Sequence, residues 1–162
     1  MLRFNSFFVL LCFFIGIIIG CGEPNDPRAV NLVPGKGILK MNGNPLSGAN
    51  IILTPVQGTA DQHGASGLTN ENGTFQLTTF RSGDGIYPGN YAITVFKTEI
   101  VSAPSAEEIA QYELEAKSPP PSEKKAIVPE KYNKIETSGL TLEVPPKGKK
   151  DIVIEISSQE RL

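Results

Sequence analysis

The chain has one histidine, and its surroundings decide whether the sequence supports acid–base or hydrolytic chemistry. His63 lies in a polar loop between Asp61 and Ser66, so the three residue types of a hydrolytic triad occur close together. Side chains this near one another on a single loop rarely converge in triad geometry, and Gly64–Gly67 lacks the G-x-S-x-G elbow of serine hydrolases. A zinc peptidase would need several histidine and carboxylate ligands. The sequence therefore predicts a non-enzymatic protein in which His63 is a solvated loop residue.

Two loops carry side-chain oxygens that suit calcium. One contains Asn70, Glu71 and Asn72, and the other holds Asp84 between two glycines. Neither has the alternating acidic oxygens and the final bidentate glutamate of an EF-hand loop. Both are more typical of tight turns between strands, and Gly35–Gly37 is too short to cradle a phosphate. The sequence predicts no metal site and no cofactor.

A cysteine that follows an apolar leader is the third candidate for chemistry. Arg3 precedes an apolar run over residues 7–19, which has the organisation of an export signal and is short for a membrane-spanning helix. The run leads into Ile18-Ile19-Gly20-Cys21, which resembles the lipobox of bacterial lipoproteins. The resemblance implies cleavage after Gly20 and attachment of fatty acyl chains such as palmitate through the Cys21 sulfur.

Anchoring at a membrane follows from this modification. Two or more acyl chains hold a protein stably on a bilayer, so a lipidated Cys21 needs no spanning helix. Gly22 follows it rather than an aspartate, which by resemblance to the sorting rule of two-membrane bacteria argues against retention at the inner membrane. The predicted location is the cell envelope outside the cytoplasm, at the outer membrane or the periplasmic face.

Other interpretations of the leader remain open. Cys21 is an ordinary cysteine if the leader is an uncleaved signal anchor, or if a conventional cleavage site lies nearby. Cys12 is a poorer lipidation candidate because bulky Leu11 precedes it, where the processing peptidase needs a small residue.

The mature chain has the size and charge of one small domain. Removal of the 20-residue leader from the 162-residue chain leaves 142 residues, and the loss of Arg3 changes the net charge from −2 to −3. This balance gives no reason to expect nucleic-acid binding, which requires a clustered basic face. With Cys21 acylated, the mature monomer has no cysteine pair for a disulfide, so packing of the core must stabilise it.

Alternating apolar residues predict an all-β domain. Residues 21–31 are polar and form a tether, and residues 32–158 form the domain. Period-two alternation is clearest in Thr74–Thr79, where Phe75 and Leu77 share one face, and it recurs in short segments separated by glycine, proline and asparagine. About seven strands of this kind predict an antiparallel Greek-key β-sandwich. The predicted strands are 33–41, 50–55, 66–69, 74–79, 90–95, 140–144 and 152–156.

One insertion, residues 98–126, lacks a strand pattern. Ser105 is a candidate N-cap for a short helix to about Lys117, since Glu107 and Glu108 fall in its first turn and Pro119–Pro121 ends it. Long insertions in compact domains are commonly functional or disordered. We expect a solvated excursion here, either a short helix or a disordered segment.

Three motifs resemble the carboxypeptidase regulatory-like domain. They are the segment from Gly37 through the Asn42-Gly43 turn to Leu53, the Thr69–Phe75 turn, and Tyr87–Val95 with its Pro-Gly turn. They follow the family order over residues 33–97, although Asn70 stands where the family commonly has aspartate. Residues 127–156 are similar to the end of small bacterial lipoproteins that carry this domain.

The resemblance implies a transthyretin-like (prealbumin) sandwich and a non-catalytic accessory module. It agrees with structural roles for the motif residues, in which Gly48 and Gly73 take positive φ in tight connections and Pro45 and Pro88 set turn geometry. Tyr91 suits a tyrosine corner, with its ring in the core and its hydroxyl bonded to nearby backbone. A related transthyretin-like hydrolase of hydroxyisourate has a histidine cluster that this chain lacks.

We therefore expect an envelope lipoprotein whose β-sandwich has a structural or protein-interaction role. Its expected partners are the membrane, through lipidated Cys21, and an envelope protein or glycan, with no nucleic acid. The alternatives are a surface module that binds a glycan or peptide through loops at one end of the sandwich, and a hydrolase with an unfamiliar site. The lysine-rich turn at residues 147–150 is expected to keep a sheet edge solvated.

Overall fold

The computed structural model describes residues 27–56 and 63–159. The leader, Gly20, Cys21, most of the tether and Asp61 lie outside these residues. The strands are β1 (Gly35–Met41), β2 (Asn44–Pro45), β3 (Asn50–Pro55), β4 (Ala65–Leu68), β5 (Thr74–Gln76), β6 (Gly89–Phe96), β7 (Thr98–Ser102), β8 (Glu123–Ala126), β9 (Leu140–Val144) and β10 (Lys149–Ile156). The helices are α1 (Ala106–Leu114) and α2 (Ile135–Ser138), with single 3-10 turns at Pro27–Ala29 and Glu130–Asn133.

The strands form two main sheets and one separate hairpin. In the first sheet β1 lies between β10 on one side and β5 and the short β2 on the other. The second sheet has the order β4-β3-β6-β9, and the hairpin consists of β7 and β8. The hairpin follows directly from β6, so it extends the second sheet's longest strand beyond the sandwich.

The core lies between the two main sheets because alternate residues of each strand point inward. In β6 the inward residues are Tyr91, Ile93 and Val95, all almost completely buried. The first sheet contributes residues such as Leu39 and Ile154 from β1 and β10. Among the residues that the structure describes, the core consists of aliphatic and aromatic side chains.

The predicted all-β sandwich is confirmed. Each of the seven strands expected from alternation corresponds to an observed strand, namely β1, β3, β4, β5, β6, β9 and β10. The pairing differs in one respect, since β1 and β10 run parallel, with Leu39 opposite Ile154, while the other pairs are antiparallel. Alternation shows which residues face inward but not which strands pair. A parallel pair needs a long connection, and here the chain between β1 and β10 supplies it.

The insertion contains more regular structure than the sequence indicates. The expected helix is present as α1 and ends at Leu114, three residues before the expected Lys117. Ser105 is its N-cap, and Ser105 and Glu108 exchange side-chain-to-backbone hydrogen bonds of 3.2 and 2.8 Å. These bonds lower the pKa of the Glu108 carboxyl.

The expectation that residues 98–126 contain no strands is wrong. β7 and β8 pair across the base of the insertion, with Thr98 opposite Ala126. Every residue of both strands is exposed, so neither face shows the apolar alternation by which a half-buried strand is recognised. The hairpin is therefore defined by its backbone pairing and not by a buried face.

Residues 127–138 cover the part of β6 that extends beyond β9. Val128 and Tyr132 enter the core, and the Tyr132 hydroxyl accepts a hydrogen bond of 3.0 Å from the Ser157 backbone N–H. Because Ser157 follows β10, this contact links the first sheet to the segment packed on the second. Within the described residues, no helix has the length and apolar character needed to cross a bilayer.

Candidate functional site

Tyr91 forms the predicted tyrosine corner at the start of β6. Its side chain is fully buried, and its hydroxyl donates a 2.8 Å hydrogen bond to the backbone carbonyl of Tyr87. Burial, with a smaller contribution from the nearby Tyr87 hydroxyl, raises the pKa of Tyr91 to about 12. The phenol is therefore held neutral in a structural role, and it fixes the turn through Pro88 and Gly89.

The loop between β5 and β6 is organised around Asp84. Its carboxylate accepts hydrogen bonds from three backbone N–H groups, those of Thr79 (2.8 Å), Phe80 (3.0 Å) and Arg81 (2.8 Å). The Thr79 hydroxyl also donates to the Gly85 carbonyl at 2.8 Å. Asp84 was one of the two calcium candidates, and in the structure both its oxygens hold the loop backbone.

Asn70 has the same kind of role in the β4–β5 turn. Its side-chain oxygen accepts hydrogen bonds of 3.0 Å from the backbone N–H groups of Asn72 and Thr74. Gly73 takes the positive φ that this tight connection requires, as expected, and an added Cβ would lie 2.9 Å from the Leu39 carbonyl oxygen. The second calcium candidate is therefore also a turn.

His63 lies against two aromatic rings. Its ring centroid is 5.0 Å from that of Phe80 and 6.1 Å from that of Tyr87, and the Phe80 and Tyr87 rings are 6.4 Å apart. We call His63, Phe80 and Tyr87 the aromatic cluster. Ser66, by contrast, is an exposed residue of β4 whose backbone pairs with Thr78.

The first described residues of the chain pass directly over the aromatic cluster. The Arg28 guanidinium carbon lies 4.8 Å from the centroid of the Phe80 ring, a distance typical of a cation–π contact. The Tyr87 hydroxyl donates a hydrogen bond to the Arg28 carbonyl oxygen. Farther along, Val33 pairs with Ile86. These contacts fix the point at which the tether meets the domain.

The lysine-rich turn lies at this same end of the sandwich. The backbone N–H of Lys149 donates to the Pro34 carbonyl oxygen at 2.8 Å, and the turn through Lys147 connects β9 to β10. Among the described strands β10 is at the edge of the first sheet, next to β1, so these lysines lie beside a sheet edge.

An open depression of about 390 Å³ lies between β4 and β5, toward the same side as the Asp84 loop. Its lining combines exposed Leu68 with the amide and hydroxyl groups of Asn70, Thr74 and Gln76. Such groups can bind a polar ligand through hydrogen bonds, but they include no nucleophile paired with a base.

Sequence reasoning did not single out Phe80 or Arg28. In the sequence, Phe80 is distinguished only by its position after a strand of alternating apolar and polar residues and before a turn. Its contact with His63 joins two loops that are distant along the chain. Among residues 27–56 and 63–159, no group of three or more histidine, cysteine, aspartate or glutamate side chains is placed to hold a metal ion.

Searches against models of protein families, characterised proteins and solved structures returned no match to this chain.

Proposed function

We propose that this chain is a lipid-anchored envelope lipoprotein whose β-sandwich is a non-catalytic module with a structural or protein-interaction role. The observation that carries the proposal is the cysteine at the end of an apolar leader, Ile18-Ile19-Gly20-Cys21. The polar groups that suggested chemistry support the non-catalytic part, because Asp84 and Asn70 bind their own loop backbones and His63 packs on aromatic rings.

The arrangement of the domain is compatible with such an anchor. The chain enters at one end of the sandwich, where Arg28 and Val33 are held by Phe80, Tyr87 and Ile86.

We further propose that the domain is of the carboxypeptidase regulatory-like kind. Three of the motif positions behind that resemblance have the structural role it implies. Gly48 and Gly73 take positive φ, and Tyr91 forms a tyrosine corner. A departure is Pro45, which pairs with Lys40 in the short strand β2 rather than lying in an unpaired turn.

The anchor is tested by replacing Cys21. We expect Cys21→Ala to abolish incorporation of labelled fatty acid and to move the protein from the membrane fraction to the soluble fraction. Cys12→Ala is the matched control and should change neither. Unchanged labelling of the Cys21→Ala protein would refute the anchor.

The projecting insertion supports the interaction role. Ile100 and Val101, adjacent in β7, are 64 % and 58 % exposed, and Leu114 of α1 is 89 % exposed. Contiguous exposed apolar surface is typical of protein interaction sites. A photoreactive amino acid at position 100 should cross-link to an envelope protein in intact cells, while one at exposed Thr141 on β9 should not. Equal cross-linking from both positions would argue against a partner at the insertion.

Glycan or peptide binding is the alternative, and the depression between β4 and β5 is the observation that favours it. Asn70, Thr74 and Gln76 supply hydrogen-bonding groups beside exposed Leu68. Saturable binding on a glycan or peptide array that is lost in Gln76→Ala would establish this function in place of a purely structural one.

A further inference from the structure

Two asparagines of this chain are each followed directly by glycine. Asn42-Gly43 connects β1 to β2, and Asn72-Gly73 belongs to the turn between β4 and β5. The backbone nitrogen of the residue after an asparagine can attack the Cγ of the asparagine side chain, which releases the amide as ammonia. Glycine favours this attack because it has no Cβ to obstruct the approach. The two turns therefore carry the same reactive sequence, and their surroundings decide whether each one reacts.

The side-chain amide of Asn42 is held at both of its polar atoms. Its Nδ2 donates a hydrogen bond of 2.7 Å to the Ser158 hydroxyl, and its Oδ1 accepts one of 3.0 Å from the Ser158 backbone N–H. The backbone N–H of Asn42 also donates to the Ile156 carbonyl oxygen at 3.0 Å, so the residue and its side chain are both fixed to the end of β10. Rotation of the amide toward Gly43 would break both side-chain bonds.

The side-chain amide of Asn72 lacks this restraint. Asn72 is exposed, and among the residues that the structure describes its side chain has no hydrogen-bond partner. Asn70 binds the backbone N–H of Asn72 at 3.0 Å but does not bind its amide. Such a side chain exchanges among its staggered rotamers, so rotation of Cγ toward Gly73 breaks no side-chain hydrogen bond.

The attacking nitrogen is restrained to a similar extent in the two turns. The Gly43 N–H donates to a Glu155 carboxylate oxygen at 2.8 Å, and the Gly73 N–H donates to the Asn70 carbonyl oxygen at 2.9 Å. Each of these single hydrogen bonds must open before the nitrogen attacks. The contrast between the two sites therefore lies in the amide, which is held in Asn42 and not in Asn72.

We propose that Asn72 is a site of spontaneous deamidation in the folded protein, and that Ser158 protects Asn42 from the same reaction. The Gly73 nitrogen loses its proton and forms a bond to Asn72 Cγ, the bond from Cγ to Nδ2 breaks, and ammonia leaves with the proton. Water then opens the resulting cyclic imide at one of its two carbonyls. The product is aspartate, or isoaspartate in which the main chain continues through the former side chain, and neither step is an oxidation or a reduction.

Deamidation of Asn72 changes the rim of the depression between β4 and β5. Both products place a carboxylate in the turn beside Asn70 and Thr74, which line that depression. Isoaspartate also lengthens the main chain by one methylene, within a turn where Asn70 Oδ1 accepts hydrogen bonds from the backbone N–H groups of Asn72 and Thr74. We expect this product to lose the bond from Thr74 and so to alter the shape of the depression. The inference does not depend on the proposed lipid anchor.

The test follows both asparagines in the purified full-length protein, incubated in mildly alkaline buffer. A glutamate-specific protease cuts after Glu71 and places Asn42 and Asn72 in separate peptides, in which mass spectrometry measures the deamidated fraction. Because two ordinary hydrogen bonds hold the Asn42 amide, we expect Asn72 to deamidate at least about tenfold faster than Asn42. In concentrated urea, where the fold and both bonds are lost, the two rates should become similar.

Variants at the end of β10 test the protection of Asn42. Ser158→Ala removes the acceptor of the Nδ2 bond, and a chain that ends at Ser157 lacks both bonds. We expect Asn42 to deamidate severalfold faster in the first variant and at a rate close to that of Asn72 in the second. Ser157→Ala is the matched control, because this neighbouring hydroxyl accepts a hydrogen bond from the Gln159 backbone N–H and not from Asn42.

Equal rates for the two asparagines in the folded protein would overturn the proposal, and so would an Asn72 that stays intact while the unfolded chain is converted. An Asn42 rate that is the same in Ser158→Ala, Ser157→Ala and the wild type would overturn the protective role of Ser158. If the shortened chain fails to fold, as circular dichroism would show, the comparison of Ser158→Ala with Ser157→Ala still decides this point.

Discussion

Side chains of Asp84, Asn70 and Tyr91 satisfy backbone groups of the loops in which they lie. A buried or turn-forming backbone N–H that loses its partner costs free energy comparable to a lost hydrogen bond. Asp84 satisfies three such groups and Asn70 two, so Asp84 makes the β5–β6 loop rigid and Asn70 the β4–β5 turn. The surface formed by Phe80 and Tyr87 is consequently held in one arrangement without a ligand.

Tyr91→Phe tests the tyrosine corner through the pH dependence of stability. Loss of the hydrogen bond to the Tyr87 carbonyl should lower the free energy of unfolding by about 1 kcal/mol at neutral pH. The pKa of Tyr91 is raised from 10.0 to about 12 in the folded protein. Between these values the unfolded chain releases the phenolic proton and the folded chain keeps it, so the wild type loses stability as pH rises through this range.

The Tyr91→Phe protein lacks this contribution, so the stability advantage of the wild type should shrink as pH rises above the unfolded pKa of 10.0 and reverse before pH reaches the folded pKa of about 12. Urea unfolding at each pH measures the difference. Tyr112→Phe in α1, which buries no residue, is the control at neutral pH and should leave stability unchanged within about 0.5 kcal/mol. A constant difference between wild type and Tyr91→Phe across the range would contradict the role assigned to the hydroxyl.

At the scale of elements, β1 is the strand on which the first sheet depends. It pairs with β10 on one side and with β2 and β5 on the other. Close approach of these strands requires Gly37, because an added Cβ would lie 2.2 Å from the Ile152 carbonyl oxygen and 2.8 Å from Phe75 Cζ. The glycine is therefore needed for packing between strands rather than for phosphate binding.

Gly37→Ala should lower the free energy of unfolding by about 1–3 kcal/mol, since the strand must shift to accommodate the methyl group. Lys36→Ala, at the exposed neighbouring position of the same strand, is the control and should change it by less than about 0.5 kcal/mol. Chemical denaturation monitored by far-ultraviolet circular dichroism measures both. Equal stabilities of Gly37→Ala and wild type would show that β1 and β10 are less tightly packed than described.

At the scale of the whole molecule, we expect the sandwich to fold without the insertion. No residue of β7, α1 or β8 is buried, and the two ends of the insertion are adjacent because the Ile127 backbone N–H donates to the Lys97 carbonyl at 2.9 Å. The sandwich supplies the stable body, and the insertion presents exposed apolar groups on it.

Replacement of residues 98–126 by Asn-Gly should therefore leave the melting temperature of the sandwich almost unchanged. The ion pair between Lys97, whose side chain is 15 % exposed, and Glu99, which is 53 % exposed, is lost; because the carboxylate is open to solvent, we expect this loss to cost about 1 kcal/mol. The shortened protein should remain in the membrane fraction and lose any partner that the insertion binds. A shortened protein that fails to fold would show that the insertion belongs to the folding unit.

The sequence by itself determined which residues face the core and where most turns occur. Alternation in segments such as Thr74–Thr79 reports burial on one face directly, and Asn42-Gly43 marks a hairpin because both residues tolerate the positive φ they adopt. The tyrosine corner at Tyr91 and the N-cap at Ser105 could also be predicted from the neighbouring sequence, because each side chain forms a hydrogen bond with backbone only three or four residues away. The sequence is also the sole basis for the proposed lipid anchor at Cys21.

Only the tertiary structure decided which strands pair and which loops meet. Two pairings depend on contacts between residues far apart in the chain, namely the parallel pair of β1 with β10 and the hairpin of β7 with β8. Neither pairing produces a pattern of apolar residues from which the partner strand could be predicted. The aromatic cluster arises in the same way. His63, Phe80 and Arg28 come from three separate segments, and folding of the sandwich places them together because all three segments lie at one end of its strands.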